Sequence, residues 1–344
     1  MTTSEDREID EFIQQIQLNA KKHQEVIEWI PFDKLENVKY LAKGSFGIVY
    51  KWLFESFDNP INKNDFLQEI KNQLRFRGKN SIAIYGITKN QTENECMMVM
   101  NYAKYGNLRK VLNDKFKKFT WKKIYNILFE IVIELTNIHE MGLMHKDFSS
   151  CYITDFGLCK PVTENDPENI YGVIPYMVPK TLSKGEYTQA SDIYSFGMVM
   201  LEVLTSYPPY YYILHNENLA IGICEGLNPE IKCEIMKKCW SFEPLNCPTA
   251  KELKSQLESY YYNDNIEIRN QVNKQVNAAN KSNKNFIKYN KNKIHPEAIY
   301  TSRHLPFLKT KKVKVTTYVI ISDTKQWDFE IPDDIIEENE IQEN

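Results

Sequence analysis

Strand-like and helical segments are separated along this chain of 344 residues. Between residues 36 and 102, apolar runs of strand length surround one helical pattern at residues 62–75. From about residue 107 onward the apolar positions follow mostly helical spacing. We predict helices over residues 121–140, 190–205, 218–225, 231–240 and 249–260. This separation predicts an α+β fold of two lobes, a small strand-rich lobe at residues 31–102 and a larger helical lobe at residues 107–262.

The first 30 residues are predicted to hold an amphipathic helix that precedes the small lobe. Ile9, Phe12, Ile13 and Ile16 recur at helical spacing, and later apolar positions extend the pattern over residues 5–28. The sequence Trp-Ile-Pro that follows is expected to end the helix.

The composition changes after the helical lobe. Residues 270–292 carry eight Asn with interspersed Lys, and residues 326–344 carry eight acids and no base. Such segments bury little apolar surface, so we expect the region 263–344 to be mostly flexible.

Charge and cysteine content narrow the class of protein. Forty-three basic and 46 acidic residues leave a net charge of −3, so no nucleic-acid or membrane partner is expected. No apolar run reaches the roughly 18 residues of a membrane span, and the acidic N-terminus lacks a signal-peptide core. Seven cysteines without a Cys-x-x-Cys pair favour reduced thiols and a cytoplasmic location, with the nucleus as the alternative.

Six short motifs occur in order along the two lobes. They are LAKGSFGIVYK (41–51), HKD (145–147), DFG (155–157), YMVPK (176–180), SDIYSFGMVMLEVLTSYPPY (191–210) and CPTAKEL (247–253). In this order they resemble the glycine-rich loop, catalytic loop, metal loop, activation-segment end, central helix and closing motif of protein kinases, in the style of the tyrosine-kinase-like branch. The resemblance implies a bilobal kinase-like fold with ATP and Mg²⁺ between the lobes.

The resemblance assigns nucleotide contacts to Gly44, Gly47, Val49, Met100, Asn101 and Ala103. The two glycines permit a tight turn whose backbone N–H groups can approach phosphates, and an ordinary hairpin turn is the alternative. The valine would cover the adenine. The methionine takes the gatekeeper place before the hinge, whose backbone would bond the adenine; a plain interlobe linker is the alternative there.

The phosphate-binding lysine is the first departure from the family pattern. Glu69 in DFLQEIK matches the helix glutamate that pairs with this lysine, so it is a candidate catalytic residue. The segment FESFDNP aligns with the lysine strand and puts Glu55 at the lysine position. Lys51 is a candidate surrogate, with a solvent-facing lysine as the alternative. Only five residues separate Val49 from Glu55, so the hairpin between them must be short.

The catalytic and metal loops are the second departure. Asp147 matches the catalytic aspartate and Asp155 the metal ligand, but they lie only eight positions apart. The family places a second metal-binding Asn five positions after the catalytic aspartate, where this chain has Tyr152. Asp147 could still accept a hydroxyl proton and Asp155 could still hold Mg²⁺. The alternative is that Asp147 only orders its loop.

Two further substitutions concern the ion pair that fixes the activation segment in the family. Lys180 stands at the place of its Glu, and Cys247 at the place of its Arg. Losing both partners is tolerable only if Lys180 reaches water. Asp192 matches the central-helix aspartate that braces the catalytic loop, and a simple acid at a helix N-terminus is the alternative.

Three hypotheses follow from these residues. The first is a kinase-like binding or scaffolding module with impaired catalysis, which binds protein partners, another kinase among the candidates, through its helical lobe. The second is an active kinase that uses Asp147, Asp155 and Lys51. The third is that the two short stretches reflect how the coding sequence was assembled, which the substitutions at Glu55, Lys180 and Cys247 do not support.

Overall fold

The structure is a computed structural model, and all residues it describes belong to one unit, Met1–Val313. The described residues are 4–21, 25–35, 39–43, 48–51, 54–56, 63–75, 83–90, 95–100, 108–146, 159–163, 170–229, 234–241, 246–263, 270, 274 and 294–306. A second unit, Lys314–Asn344, lies outside them.

The small lobe is built on a mixed sheet. Its described strands are β1 (Glu28–Trp29), β2 (Lys39–Lys43), β3 (Ile48–Lys51), β4 (Phe54–Ser56), β5 (Ile84–Asn90) and β6 (Glu95–Met100). They lie in the order β1-β5-β6-β4-β3-β2, with β1 parallel to β5 and the other pairs antiparallel. Strand β6 is apolar on both faces because each face is covered: Met98 contacts one buried cluster, and Met97 and Val99 form another.

Helix α1 (Arg7–Asn19) is shorter than the sequence predicted. It ends at Asn19, and Ala20 is extended. The predicted helical stretch to residue 28 is wrong, because Glu28 and Trp29 pair as strand β1 with Gly86 and Ile87. A Cβ on Gly86 would lie 2.0 Å from the carbonyl oxygen of Glu28, so this close pairing requires glycine. Sheet pairing has overridden a helical apolar pattern here.

Helix α1 shares the core of the small lobe with α2 (Lys63–Arg75). The helix predicted at residues 62–75 is confirmed. The buried residues of this cluster are Ile9, Ile13, Ile27, Phe66, Leu67, Ile70, Ile84, Ile87, Met98 and Met100. The N-terminal helix is therefore packed into the small lobe.

The large lobe is helical, as predicted. Its described helices are α3 (Leu108–Lys115), α4 (Trp121–Glu140), α5 (Pro179–Lys184), α6 (Gln189–Thr205), α7 (Glu217–Cys224), α8 (Glu234–Cys239) and α9 (Ala250–Asn263). Two short strands, β7 (Leu143–Met144) and β8 (Lys160–Pro161), pair beside α4. Among the helices that the structure describes, none is long and apolar enough to span a bilayer.

Helix α6 is the centre of the large lobe. It is buried from Ser191 to Thr205, which explains why its sequence is apolar on all sides. It packs against α8 at Gly197, where an added Cβ would lie 2.6 Å from Trp240 Nε1 and 2.8 Å from Cys239 Cβ. The missing side chain lets the two helices approach.

A C-terminal segment also packs on the large lobe. Residues 294–306 lie within the region expected to be mostly flexible, but here they are in contact with the helical lobe. Strand β10 (Arg303–His304) pairs antiparallel with β9 (Tyr171–Gly172), and Leu305 is buried in the core. The predicted flexibility of the rest of that region concerns residues almost all outside the described ones.

We predict that Gly197→Ala lowers the free energy of unfolding by about 1–3 kcal/mol, because the new methyl overpacks the contact with Trp240. Equilibrium denaturation in urea measures the change. Gly222→Ala is the matched control, since its Cβ would meet only the side chain of Leu227, at 3.3 Å. The control is expected to be neutral or stabilising through helix propensity. Equal losses in both variants would contradict the packing argument.

Candidate functional site

The start of the catalytic loop is held by the carboxylate of Asp192. Its Oδ2 accepts a hydrogen bond from the backbone N–H of His145 at 2.8 Å, and Oδ1 accepts one from Lys146 at 3.1 Å. His139 Nε2 lies 3.0 Å from Oδ2. Lys146 has a left-handed φ of 68°, which costs energy for a residue with a side chain. The carboxylate contacts both residues at this strained turn, so Asp192 acts as the brace that the sequence predicted.

His145 lies inside this braced turn and is kept neutral. Its side chain is buried, and burial lowers the pKa of the imidazole to about 4, against a smaller raising effect of the Asp192 carboxylate. A neutral imidazole is compatible with the packed interior, in which His145 lies two positions before Asp147 in the sequence. The two residues before Asp147 are thus held by the large lobe.

Most of the predicted site residues lie outside the described residues: Gly44, Gly47, Asn101 and Ala103 for the nucleotide, Asp155 for the metal and the catalytic candidate Asp147. Met100 is the last residue of β6 and is buried. Val49 and Lys51 lie on β3. Glu69 is buried on α2.

The strand register shows where the lysine strand runs. Strand β4 lies between β3 and β6, and Glu55 is the register partner of Val49 on one side and of Met98 on the other. Lys51 instead pairs with Lys39 on the edge strand β2. The hairpin is short, as predicted, with two residues between β3 and β4. The middle residue of β4 is therefore an acid, Glu55.

This register bears on the cofactors that the fold implies. A triphosphate with Mg²⁺ needs a cation on the lysine strand to hold the phosphates. The backbone position there is occupied by Glu55, and α2 contributes the buried acid Glu69. In the motif alignment this position carries an acid, whereas a triphosphate needs a cation there.

The two residues that replace the family ion pair are accommodated separately. Lys180 Nζ lies 2.7 Å from Glu186 Oε2, and about half of each side chain is exposed. The condition that Lys180 reach water is met. Cys247 is partly buried, and burial raises the pKa of its thiol to about 11, so it stays neutral. No buried charge is left by the double replacement.

A different ion pair holds the end of the activation segment. Arg109 on α3 donates from Nε to Glu202 Oε1 at 2.7 Å and from Nη2 to Oε2 at 3.0 Å. Arg109 Nη2 also contacts the Tyr176 hydroxyl at 2.6 Å, and that hydroxyl donates to Glu202 at 2.5 Å. Burial works against the charge, but Tyr176 and Glu202 outweigh it and raise the pKa of Arg109. We refer to Arg109, Tyr176 and Glu202 as the Arg109 cluster.

The Arg109 cluster was not predicted from the sequence. The signal was Glu202, an acid in the apolar run MVMLEVLT of the central helix. A carboxylate buried in such a helix needs a cation, because burying an unpaired charge is costly. Which cation answers it depends on the packing of α3 against α6.

The fold, the braced catalytic loop and the ordered motifs define a protein of the kinase class. A model of the protein tyrosine and serine/threonine kinase family matches residues 31–257. This match covers more than half of the chain, and the chain belongs to that family.

Relatives come from both kinase types. The chain is 27% identical over 288 residues to the probable serine/threonine-protein kinase gdt2 of Dictyostelium discoideum, covering 70% of this chain and 17% of that protein. It is 26% identical over 285 residues to ephrin type-A receptor 4-A of Xenopus laevis, covering 75% and 28%. It is 26% identical over 298 residues to ephrin type-A receptor 5 of Gallus gallus, covering 79% and 29%. The chain spans less than a third of the length of these curated relatives.

We predict that His145 makes stability depend on pH. The unfolded imidazole takes up a proton near pH 6.5, whereas the folded one resists it down to about pH 4. Stability from this residue is therefore lost as pH falls through that window, by about 3 kcal/mol in total. Denaturation of wild type and His145→Gln from pH 4 to 7.5 measures it. A difference between the two that does not change with pH would contradict the prediction.

We also predict strong coupling between Arg109 and Glu202. Arg109→Met alone leaves a buried acid and is expected to cost about 3–5 kcal/mol, and adding Glu202→Leu should recover part of that loss. A double-mutant cycle by urea denaturation measures the coupling. The matched control is the exposed pair Lys180 and Glu186, whose coupling should stay below about 1 kcal/mol. Additive losses at Arg109 and Glu202 would refute the prediction.

Proposed function

We propose that this kinase-family chain is a signalling module that binds protein partners through its large lobe and transfers phosphoryl groups poorly or not at all. The observation that carries the proposal is the register of β4, in which Glu55 lies between Val49 and Met98. In the alignment with the family motifs, Glu55 takes the position of the phosphate-binding lysine. Two acids, Glu55 and Glu69, then belong to the part of the lobe that should hold a triphosphate.

The catalytic step gives the second support. Kinases accelerate phosphoryl transfer by positioning and by charge stabilisation, with little covalent chemistry of their own. The chain lacks the lysine and, at Tyr152, the second metal-binding Asn. If each loss removes about 3 kcal/mol of transition-state stabilisation, the rate falls by about four powers of ten. Such a rate is too slow for signalling.

The large lobe keeps what a binding module needs. Asp192 braces the catalytic loop, and the Arg109 cluster fixes the end of the activation segment. Neither device depends on nucleotide. A stable helical lobe is a suitable surface for protein partners, and another kinase is the partner class we favour.

The second candidate function is an active ATP-dependent protein kinase. Asp147 and Asp155 are retained in the sequence, and Asp192 holds the residues just before Asp147. In this alternative Lys51 substitutes for the missing lysine. Its register partner is Lys39 on the edge strand, which weakens the alternative.

We predict that wild type shows no thermal stabilisation by about 1 mM ATP with Mg²⁺. A ligand at 100 times its Kd would add about 2.7 kcal/mol, so binding would be easily seen. Glu55→Gln removes the like charge and Glu55→Lys reverses it, so stabilisation should increase from wild type to Gln to Lys. Micromolar MgATP affinity of wild type by calorimetry would overturn this prediction.

Turnover separates the two candidate functions. Wild type, Asp147→Asn and Asp155→Asn are compared with MgATP, using a generic peptide library and autophosphorylation. We expect equal background in all three proteins. Wild-type turnover near one per second that both substitutions abolish would establish the active kinase instead.

A further inference from the structure

The C-terminal segment on the large lobe has the contacts of a bound peptide. We call residues 294–306 the C-terminal strap. Its Arg303 and His304 pair antiparallel with Gly172 and Tyr171, and the N–H of Leu305 donates to the carbonyl of Ile170 at 2.9 Å. Strand addition to an exposed backbone edge is a common mode of peptide recognition. The strap is thus held by main-chain bonds that any extended peptide could form.

Two side chains of the strap enter the lobe. Leu305 is buried in the large-lobe core, with 1% of its surface exposed. Tyr300 is partly buried against the same core, and its hydroxyl donates to the carbonyl of Pro209 at 2.9 Å. These contacts select residue types, whereas the main-chain bonds do not.

A third contact is polar. Arg303 Nη2 donates to the carbonyl of His215 at 2.6 Å. The ring of His215 is buried, with Nδ1 2.9 Å from the carbonyl of Ile299 and Nε2 3.1 Å from that of Tyr210. His215 therefore bridges the strap and the lobe. Tyr, Arg and Leu anchors follow at positions i, i+3 and i+5 of one extended segment.

The strap is joined to the Arg109 cluster. The guanidinium carbon of Arg109 lies 4.1 Å from the ring centroid of Tyr300. The same guanidinium also binds Tyr176 and Glu202. Strand β9 ends at Gly172, two residues before the turn Ile174–Tyr176. The surface under the strap is therefore continuous with the end of the activation segment.

The strap belongs to the same chain as the surface on which it lies. Helix α9 ends at Asn263, and residues 264–293 connect it in the sequence to the strap. A peptide added in trans must therefore compete with a segment that is covalently linked to the lobe, and covalent linkage raises the effective concentration of the strap.

We propose that the surface beneath the strap is a peptide-binding groove. The strap fills this groove in cis. In trans the groove binds an extended peptide that carries Tyr, Arg and Leu at the spacing of residues 300, 303 and 305. The groove is formed by the backbone of Ile170–Gly172, by Arg109 and by residues 209–215. The inference rests on the partner-binding part of the proposed function. Binding is measured without nucleotide, so its outcome is separate from any loss of phosphoryl transfer.

The test uses a fluorescent peptide of residues 294–306 and full-length protein. A release variant, Tyr300→Ala with Leu305→Ala, removes both side-chain anchors of the strap. A milder variant, Arg303→Ala, removes one bond on a partly exposed residue and guards against misfolding. Fluorescence anisotropy is expected to show the tightest binding to the release variant, intermediate binding to Arg303→Ala, and at least tenfold weaker binding to wild type.

Matched peptides test the contacts. A peptide with an N-methyl group on the Leu305 nitrogen keeps every side chain but loses the bond to Ile170, so it should bind about tenfold more weakly. A peptide with Tyr300→Ala and Leu305→Ala should not bind measurably. Equal binding of the N-methyl and unmodified peptides would overturn the strand-addition contact.

Two further outcomes would overturn the proposal. Equal affinity of the peptide for wild type and both variants would mean that the strap does not fill the groove, and no binding to cooperatively folding variants would mean that there is no groove. Light scattering identifies the occupant. A concentration-dependent wild-type dimer that is lost in the release variant would assign the strap to a second copy and overturn filling in cis.

Discussion

The large lobe depends on the hydrogen bonds that the carboxylate of Asp192 accepts from the backbone. This carboxylate accepts hydrogen bonds from two consecutive backbone N–H groups at a strained turn, and it lies at the start of the most deeply buried helix. Leaving these groups unpaired in the interior would cost more than the bonds contribute, so helix and loop stabilise each other. His145 and Lys146, which precede Asp147 in the sequence, are therefore positioned by the core of the large lobe.

The other end of the same helix fixes the activation segment. Glu202 binds Arg109 and Tyr176. The residues at the places of the family ion pair do not form one, because Lys180 pairs with Glu186 and Cys247 is a neutral thiol. A buried pair needs both partners or neither. With both partners replaced, the Arg109 cluster holds Tyr176 at the end of the segment. Two acids of one helix thus bind His145 and Lys146 at one end and Tyr176 at the other.

The small lobe shows a different balance between fold and function. Its sheet order and the packing of α2 follow the kinase pattern, yet Glu55 stands at the centre of the strand beside β6. Stability of a sheet needs pairing and burial, and neither requires a lysine at that position. The fold therefore does not depend on phosphate binding. This separation is the basis of our proposal that the chain binds partners through its large lobe.

Apolar periodicity and motif order were sufficient to predict the two lobes, helix α4, the short hairpin and the role of Asp192, because these features are local patterns or pairs within one family order. The helix predicted to continue through residues 20–28 was wrong, because strand pairing with Gly86 outweighed the helical pattern. The Arg109–Glu202 pair and the docked strap joined residues about 90 positions apart or more. Only the tertiary structure decided these contacts, because sequence spacing carries no information about which distant surfaces pack together.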